Sequence, residues 1–227
     1  MSKLKTLLFA LLFVSSLSQA TSLKLGSPYF PPYVYFDIDG ELTGTWMTQL
    51  SPVLKNAGLS FSAVHVPIKR FYSSAATGKI DLFAMPKGLP GMENVLFSAR
   101  PFSHFDLRVF WLDSADGVAT LSELAGRKVA LIKGYSYGGK LSTEIDSQQR
   151  SQFVVADDQR QALRMLMNGD VNYVLGYWAI MTHLQKAFPN QQVNNAKISE
   201  LPIYFAIHQN AENAQKLMQQ FDAAMEN

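Results

Sequence analysis

The sequence predicts an α/β protein of two lobes, each with a mainly parallel sheet, and three observations carry that expectation. First, one short pattern occurs twice, about ninety residues apart: Ser74-Ala75-Ala76-Thr77-Gly78-Lys79-Ile80-Asp81-Leu82-Phe83-Ala84 and Met165-Leu166-Met167-Asn168-Gly169-Asp170-Val171-Asn172-Tyr173-Val174-Leu175-Gly176. Each copy reads as a helix end, a glycine able to take the left-handed conformation that stops it, and a buried apolar strand. Second, strand and helix patterns alternate along the chain, as parallel strands joined by right-handed crossovers require. Third, the chain length suits two modest lobes of about 100 residues each once an amino-terminal leader is set aside. Two such lobes create a cleft at the carboxyl ends of their strands, where small ligands bind.

Taken in order, residues 1–20 have the three parts of a cleaved secretory signal: Lys3 and Lys5, an apolar run over 7–14, and Ser18-Gln19-Ala20. The run is too short for a membrane span, which needs roughly 20 apolar residues. Leu23-Lys24-Leu25-Gly26 opens as a strand. Pro28, Pro31 and Pro32 among Tyr29, Phe30, Tyr33 and Tyr35 then impose an extended aromatic loop. Asp37-Ile38-Asp39-Gly40 has the composition of a tight turn. Residues 44–57 read as a helix with Trp46, Leu50, Val53 and Leu54 on one face, 61–66 alternate as a strand, and 69–77 read as a short helix stopped at Gly78.

The apolar run 105–112 leaves the first lobe, and residues 120–132 restart the alternation in a second. After its copy of the repeat, 178–188 read as a helix, 201–207 as a strand carrying the chain back, and 211–225 as a helix capping the first lobe. The expected division is 21–106 with 204–227 for lobe one and 107–203 for lobe two.

Composition narrows the function classes. Cysteine is absent, which excludes a disulfide framework, a thiolate metal site and a lipid-modified cysteine behind the leader. Removal of Lys3 and Lys5 with the leader leaves 18 basic against 18 acidic residues, and no basic cluster offers a footprint for nucleic acid. His65, His104, His183 and His208 lack the spacing of a metal site, and no G-x-S-x-G, H-E-x-x-H or Walker pattern signals hydrolysis or nucleotide binding. No metal and no cofactor is expected. Asp157-Asp158 reads as the cap of the helix that follows.

The order of these features resembles the family 3 periplasmic solute-binding proteins, the receptors of polar amino-acid ABC transporters. Tyr29-Phe30-Pro31-Pro32-Tyr33 ahead of Asp39-Gly40-Glu41-Leu42-Thr43-Gly44 resembles that family's opening. Gly78-Lys79-Ile80-Asp81 and Phe97-Ser98-Ala99-Arg100-Pro101-Phe102 resemble its G-K-x-D strand and F-S-x-P-Y segment. Residues 121–130, Leu121-Ser122-Glu123-Leu124-Ala125-Gly126-Arg127-Lys128-Val129-Ala130, resemble the L-x-x-L-x-G-K-x-V-G that opens its second lobe. The resemblance implies a type II, Venus-flytrap periplasmic binding protein, monomeric and exported to the periplasm. It also implies a small-molecule ligand and an ABC transporter permease or a membrane sensor kinase as partner.

The family's ligand anchors carry over only in part. No arginine stands between Met85 and Phe97, where members that hold α-amino acids place one to grip the carboxylate; Met92 or Glu93 falls there instead. Tyr177 occupies the position of the aspartate that pairs with the ligand ammonium. A zwitterion would then be buried without charge partners, so the expected solute is small and polar or aromatic-bearing. Candidate ligand-binding residues are Phe30, Tyr33, Tyr177 and Trp178 for ring contacts, and Tyr135 and Ser136 in the glycine-rich loop 133–139, whose amides favour an anionic or strongly polar group. Met85 completes the first-lobe wall, with Arg70 and Lys87 as replacement cations. Phe30 and Tyr177 are expected to be exposed from loops. The scaffold also hosts a cyclohexadienyl dehydratase, for which Glu93 is the acid nearest the first-lobe cleft; that enzyme reading stays open as the alternative.

Overall fold

The computed structural model describes residues 23–113, 115–141 and 152–226. The expected leader lies outside them. Strands are β1 (Leu23–Ser27), β2 (Tyr35–Phe36), β3 (Leu42–Thr43), β4 (Phe61–His65), β5 (Leu82–Met85), β6 (Val95–Phe97), β7 (Ser103–Leu112), β8 (Val129–Ile132), β9 (Phe153–Ala156), β10 (Tyr173–Tyr177) and β11 (Val193–His208). Helices are α1 (Thr45–Asn56), α2 (Ile68–Ala76), α3 (Gln159–Met167), α4 (Trp178–Gln185) and α5 (Ala214–Ala224).

Two halves follow one plan. In the first lobe β4, β1 and β5 run parallel, and β11 closes the set antiparallel to β5. In the second, β9, β8 and β10 run parallel, and β7 lies antiparallel to β10. β7 and β11 pair with each other from Ser103↔Ile203 to Leu112↔Val193 and so join the halves.

The repeated pattern is the local cause of this duplication. Gly78 (φ 68°) and Gly169 (φ 76°) turn out of α2 and α3, and the next amide returns to the helix in both copies: Lys79 N–H to Ser74 O at 3.0 Å, Asp170 N–H to Met165 O at 2.9 Å. Asp81 and Asn172 then donate to Lys24 O and Lys128 O, which sets β5 beside β1 and β10 beside β8. The two glycines differ in what surrounds them. A Cβ on Gly78 would lie 2.8 Å from the ring of buried His208, whereas one on Gly169 would meet nothing within 4 Å.

Side chains of the central strands alternate between two buried faces. Leu82, Leu107, Val109, Val129, Leu175, Ile203 and Phe205 belong to a core shared by the lobes; Phe83 and Met85 face a core of lobe one, and Ala130, Val174 and Phe110 a core of lobe two. The Asp37–Gly40 turn forms as expected, with Asp37 Oδ1 accepting from Asp39 N–H and Glu41 N–H. Asp158 caps α3, accepting from Gln161 N–H at 2.7 Å. One expectation is corrected: the returning strand begins at Val193 rather than 201. Beyond buried Val193, residues 194–200 are mostly polar and half-exposed or exposed, and long-range pairing with β7 holds them extended.

Candidate functional site

The carboxyl end of β10, the aromatic loop after β1 and the amino-terminal turn of α2 converge on a cavity between the lobes. Phe30, Trp46, Phe71, Tyr72, Met85 and Phe105 line it from the first lobe and the crossover strand β7; Tyr135 and Tyr177 line it from the second. Among the described residues, none in its wall is charged. It measures about 400 Å³ of atom-free space including its mouth, of which about 30 Å³ admits the centre of a water molecule. The rings therefore fill most of their own site, and a solute larger than a water enters only when they part.

Ring packing accounts for the fit. Tyr177 stacks on Phe105 (centroids 4.3 Å apart, 21° between planes) and on Tyr135 (5.1 Å, 21°), while Phe30 tilts against Tyr135 (5.3 Å) and Phe105 (5.4 Å). The Phe30–Tyr135 pair crosses from lobe to lobe. So does a hydrogen bond from the Tyr72 hydroxyl to Ser136 Oγ at 3.1 Å. A further link between the lobes is Asp157, which sits between Lys69 of α2 (3.7 Å) and Lys133 of the second lobe (3.8 Å). These are exposed side chains, and screening leaves such a pair about 0–1 kcal/mol.

Burial governs the titratable groups here. It raises the phenols of Tyr33, to about 12, and of Tyr72, Tyr135, Tyr137 and Tyr177, and in Tyr135 and Tyr177 neighbouring phenols raise it further. All five stay protonated at neutral pH. Tyr137 accepts from Ile132 N–H at 2.7 Å and donates to Leu175 O, which ties the loop to β8 and β10 despite its left-handed backbone (φ 49°). Two polar atoms of residues that line the cavity, the Trp46 indole Nε1 and the Tyr135 hydroxyl, are buried with no hydrogen-bond partner among the described residues.

Of the anticipated residues, Phe30, Met85, Tyr135 and Tyr177 come together at the cavity. Phe30 and Tyr177 are 5 % and 3 % exposed, contrary to the exposure expected of loop residues; Tyr177 ends a central strand, and the opposing lobe covers both. Tyr33 packs one layer behind the wall, against Phe105 and Trp46. Ser136 borders the site but is occupied by Tyr72 and by Gly138 N–H. Several of the loop amides expected to receive an anion are engaged: Tyr135 N–H donates to Ile132 O, Gly138 N–H to Ser136 Oγ and Gly139 N–H to Ser136 O.

Four expectations fail on geometry. Trp178 lies outside the cavity, stacked on Phe110 with the Arg108 guanidinium 4.3 Å from its ring. Arg70 is exposed on α2 and absent from the wall. Lys87 points away: its ammonium donates to Ser98 O at 2.8 Å and sits 3.9 Å over the Tyr204 ring, and partial desolvation lowers its pKa. Glu93 is exposed and accepts from Gly91 N–H in its own turn. Trp46, Tyr72 and Phe105 were not anticipated at the site. Trp46 carried a signal, an indole one turn beyond the aromatic loop, but its helical spacing also fits a core face.

No protein-family model matches the sequence, and no curated protein matches it in sequence. Solved structures do match in fold. A histidine kinase sensor domain with similarity to periplasmic binding proteins superposes with a TM-score of 0.76 at 18% identity, covering 91% of this chain and 89% of that one. The GluR0 ligand-binding core in complex with L-glutamate gives 0.71 at 15%, covering 89% and 91%. An ancestral arginine-binding protein bound to arginine gives 0.69 at 21%, covering 91% and 93%. The chain thus has the two-lobed α/β fold of periplasmic-binding-protein-like ligand-binding domains.

Proposed function

We propose that this chain is an exported solute-binding protein whose lobes close by hinge motion on a small polar or aromatic-bearing solute, delivering it to an ABC transporter. The observation that carries the reading is the uncharged aromatic cavity walled by both lobes and bridged by the Tyr72–Ser136 hydrogen bond. Closure buries the solute and changes the surface offered to a membrane partner. Lobe boundaries at 106/107 and 203/204 are supported by the pairing. Leu107 is the first residue of β7 paired with β10, and β11 passes from β7 to β5 between Ile203 and Tyr204. Export rests on the leader-like residues 1–20. Among the described residues no helix is long and apolar enough to cross a membrane.

A second reading, a sensor domain acting on a membrane kinase, is favoured by the sensor-domain superposition. The dehydratase alternative loses support because Glu93 lies in an exposed turn away from the cavity wall; turnover of prephenate or arogenate that Glu93→Gln abolishes would restore it. The main test is a thermal-shift screen over amino acids, aromatic acids, polyamines and short peptides, with small-angle scattering on each hit. A binder at a hundred times its dissociation constant adds about 2.7 kcal/mol, and the particle should contract. A chain that stays one rigid body and unshifted under every solute refutes the proposal.

A further inference from the structure

Resting on the solute-binding reading above, the cavity wall narrows the class of solute. We infer that the site takes an uncharged, planar molecule carrying a hydrogen-bond acceptor such as a carbonyl or ring nitrogen, and rejects carboxylates and zwitterions. Trp46 is 5 % exposed and its Nε1 has no partner among the described residues; an indole N–H only donates, so what satisfies it is an acceptor. The unpaired Tyr135 hydroxyl supplies a second donor on the facing lobe. Between them lies a run of stacked rings, Trp46 on Phe105, Phe105 on Tyr177 and Tyr177 on Tyr135, into which a flat guest can insert when the lobes part.

A carboxylate finds no cationic counterpart among the described residues of the wall. Lys87 is held against Tyr204 and Ser98, and the amides of Tyr135, Gly138 and Gly139 are spent within the loop. Buried without a partner, such a charge is rejected. A quaternary ammonium held by ring faces is the rival guest, but it leaves the Trp46 N–H unsatisfied.

Matched probes that keep the ring and change the charge test this: nicotinamide, nicotinate and 1-methylnicotinamide, and uracil against orotate, titrated by calorimetry into the full-length mature protein. The neutral member of a pair should bind at least about tenfold more tightly than its charged analogues, since a buried unpaired charge outweighs the 1.4 kcal/mol that tenfold represents. Tyr135→Phe keeps its ring and removes one donor, and Trp46→Phe removes the other donor while exchanging the indole for a smaller phenyl ring. Each should weaken the neutral probe about fivefold; Tyr135→Phe should leave the melting temperature of the free protein unchanged or higher, because an unsatisfied group has gone, whereas Trp46→Phe also loses core packing and should melt lower. A charged member binding more tightly than its neutral partner overturns the inference, as does unchanged affinity in both variants. Silence from these probes alongside a hit among amino acids or polyamines overturns the inference and leaves the solute-binding reading standing. Silence throughout overturns both.

Discussion

Tyr72→Phe is the sharpest probe of closure, because the bond it deletes exists only when the lobes meet. The phenol donates to Ser136 Oγ at 3.1 Å, and Ser136 keeps a second partner in Gly138 N–H at 3.4 Å, so the substitution orphans no acceptor. The loss should therefore sit near the middle of the range for a neutral hydrogen bond, about 1 kcal/mol, which lowers the closed-to-open ratio about fivefold. Apparent affinity for any solute held by the closed form falls with the closed fraction. The chain has no cysteine of its own, so labels at Lys55→Cys and Lys186→Cys, both exposed, report the distance between lobes without background. Tyr72→Phe should broaden that distribution toward longer separations. A cycle with Ser136→Ala should return a coupling of about 0.5–1.5 kcal/mol. An unchanged distribution together with zero coupling would refute the view that this bond holds the jaws.

Three further outcomes are expected. Gly78→Ala and Gly169→Ala share a left-handed backbone cost of roughly 1–2 kcal/mol, but only the first forces a methyl to within 2.8 Å of the His208 ring, so it should melt lower; equal melting temperatures would discount that contact. Tyr33, raised to about 12, contributes stability that is fully present below the unfolded value near pH 10 and lost as pH climbs from there toward 12. A tyrosinate absorbance titration should show ionisation delayed and coupled to unfolding, against ordinary titration near 10 in an intact fold. Asp158→Ala removes the α3 cap and should cost about 1 kcal/mol in denaturant midpoint analysis, whereas Asp157→Ala, whose contacts are exposed ion pairs, should cost less.

What the sequence disclosed is what local chemistry decides. The glycine stops, the Asp37–Gly40 turn and the Asp158 cap each depend on a few neighbouring residues, and the doubled sheet follows from the repeat. Residues 193–200 escaped notice because their strand is imposed by β7, some ninety positions away, and not by an apolar pattern of their own. The site was half legible. Phe30 and Tyr177 could be picked by position, yet their burial arises from rings on the opposite lobe, which no local signal reports. Arg70 and Lys87 were named because a cation was wanted; side-chain direction, which the sequence does not encode locally, sends both elsewhere.

β11 reaches the first lobe only after the whole of the second has been spelled out, so the order of synthesis and the order of assembly are at odds. Until Tyr204–Ile207 arrive, β5 presents a bare edge of the apolar strand Leu82–Met85, a template for stray pairing between nascent chains. An amino-terminal fragment ending before residue 204 should accordingly aggregate, and a chaperone that delays collapse until translation ends should raise the yield of soluble protein.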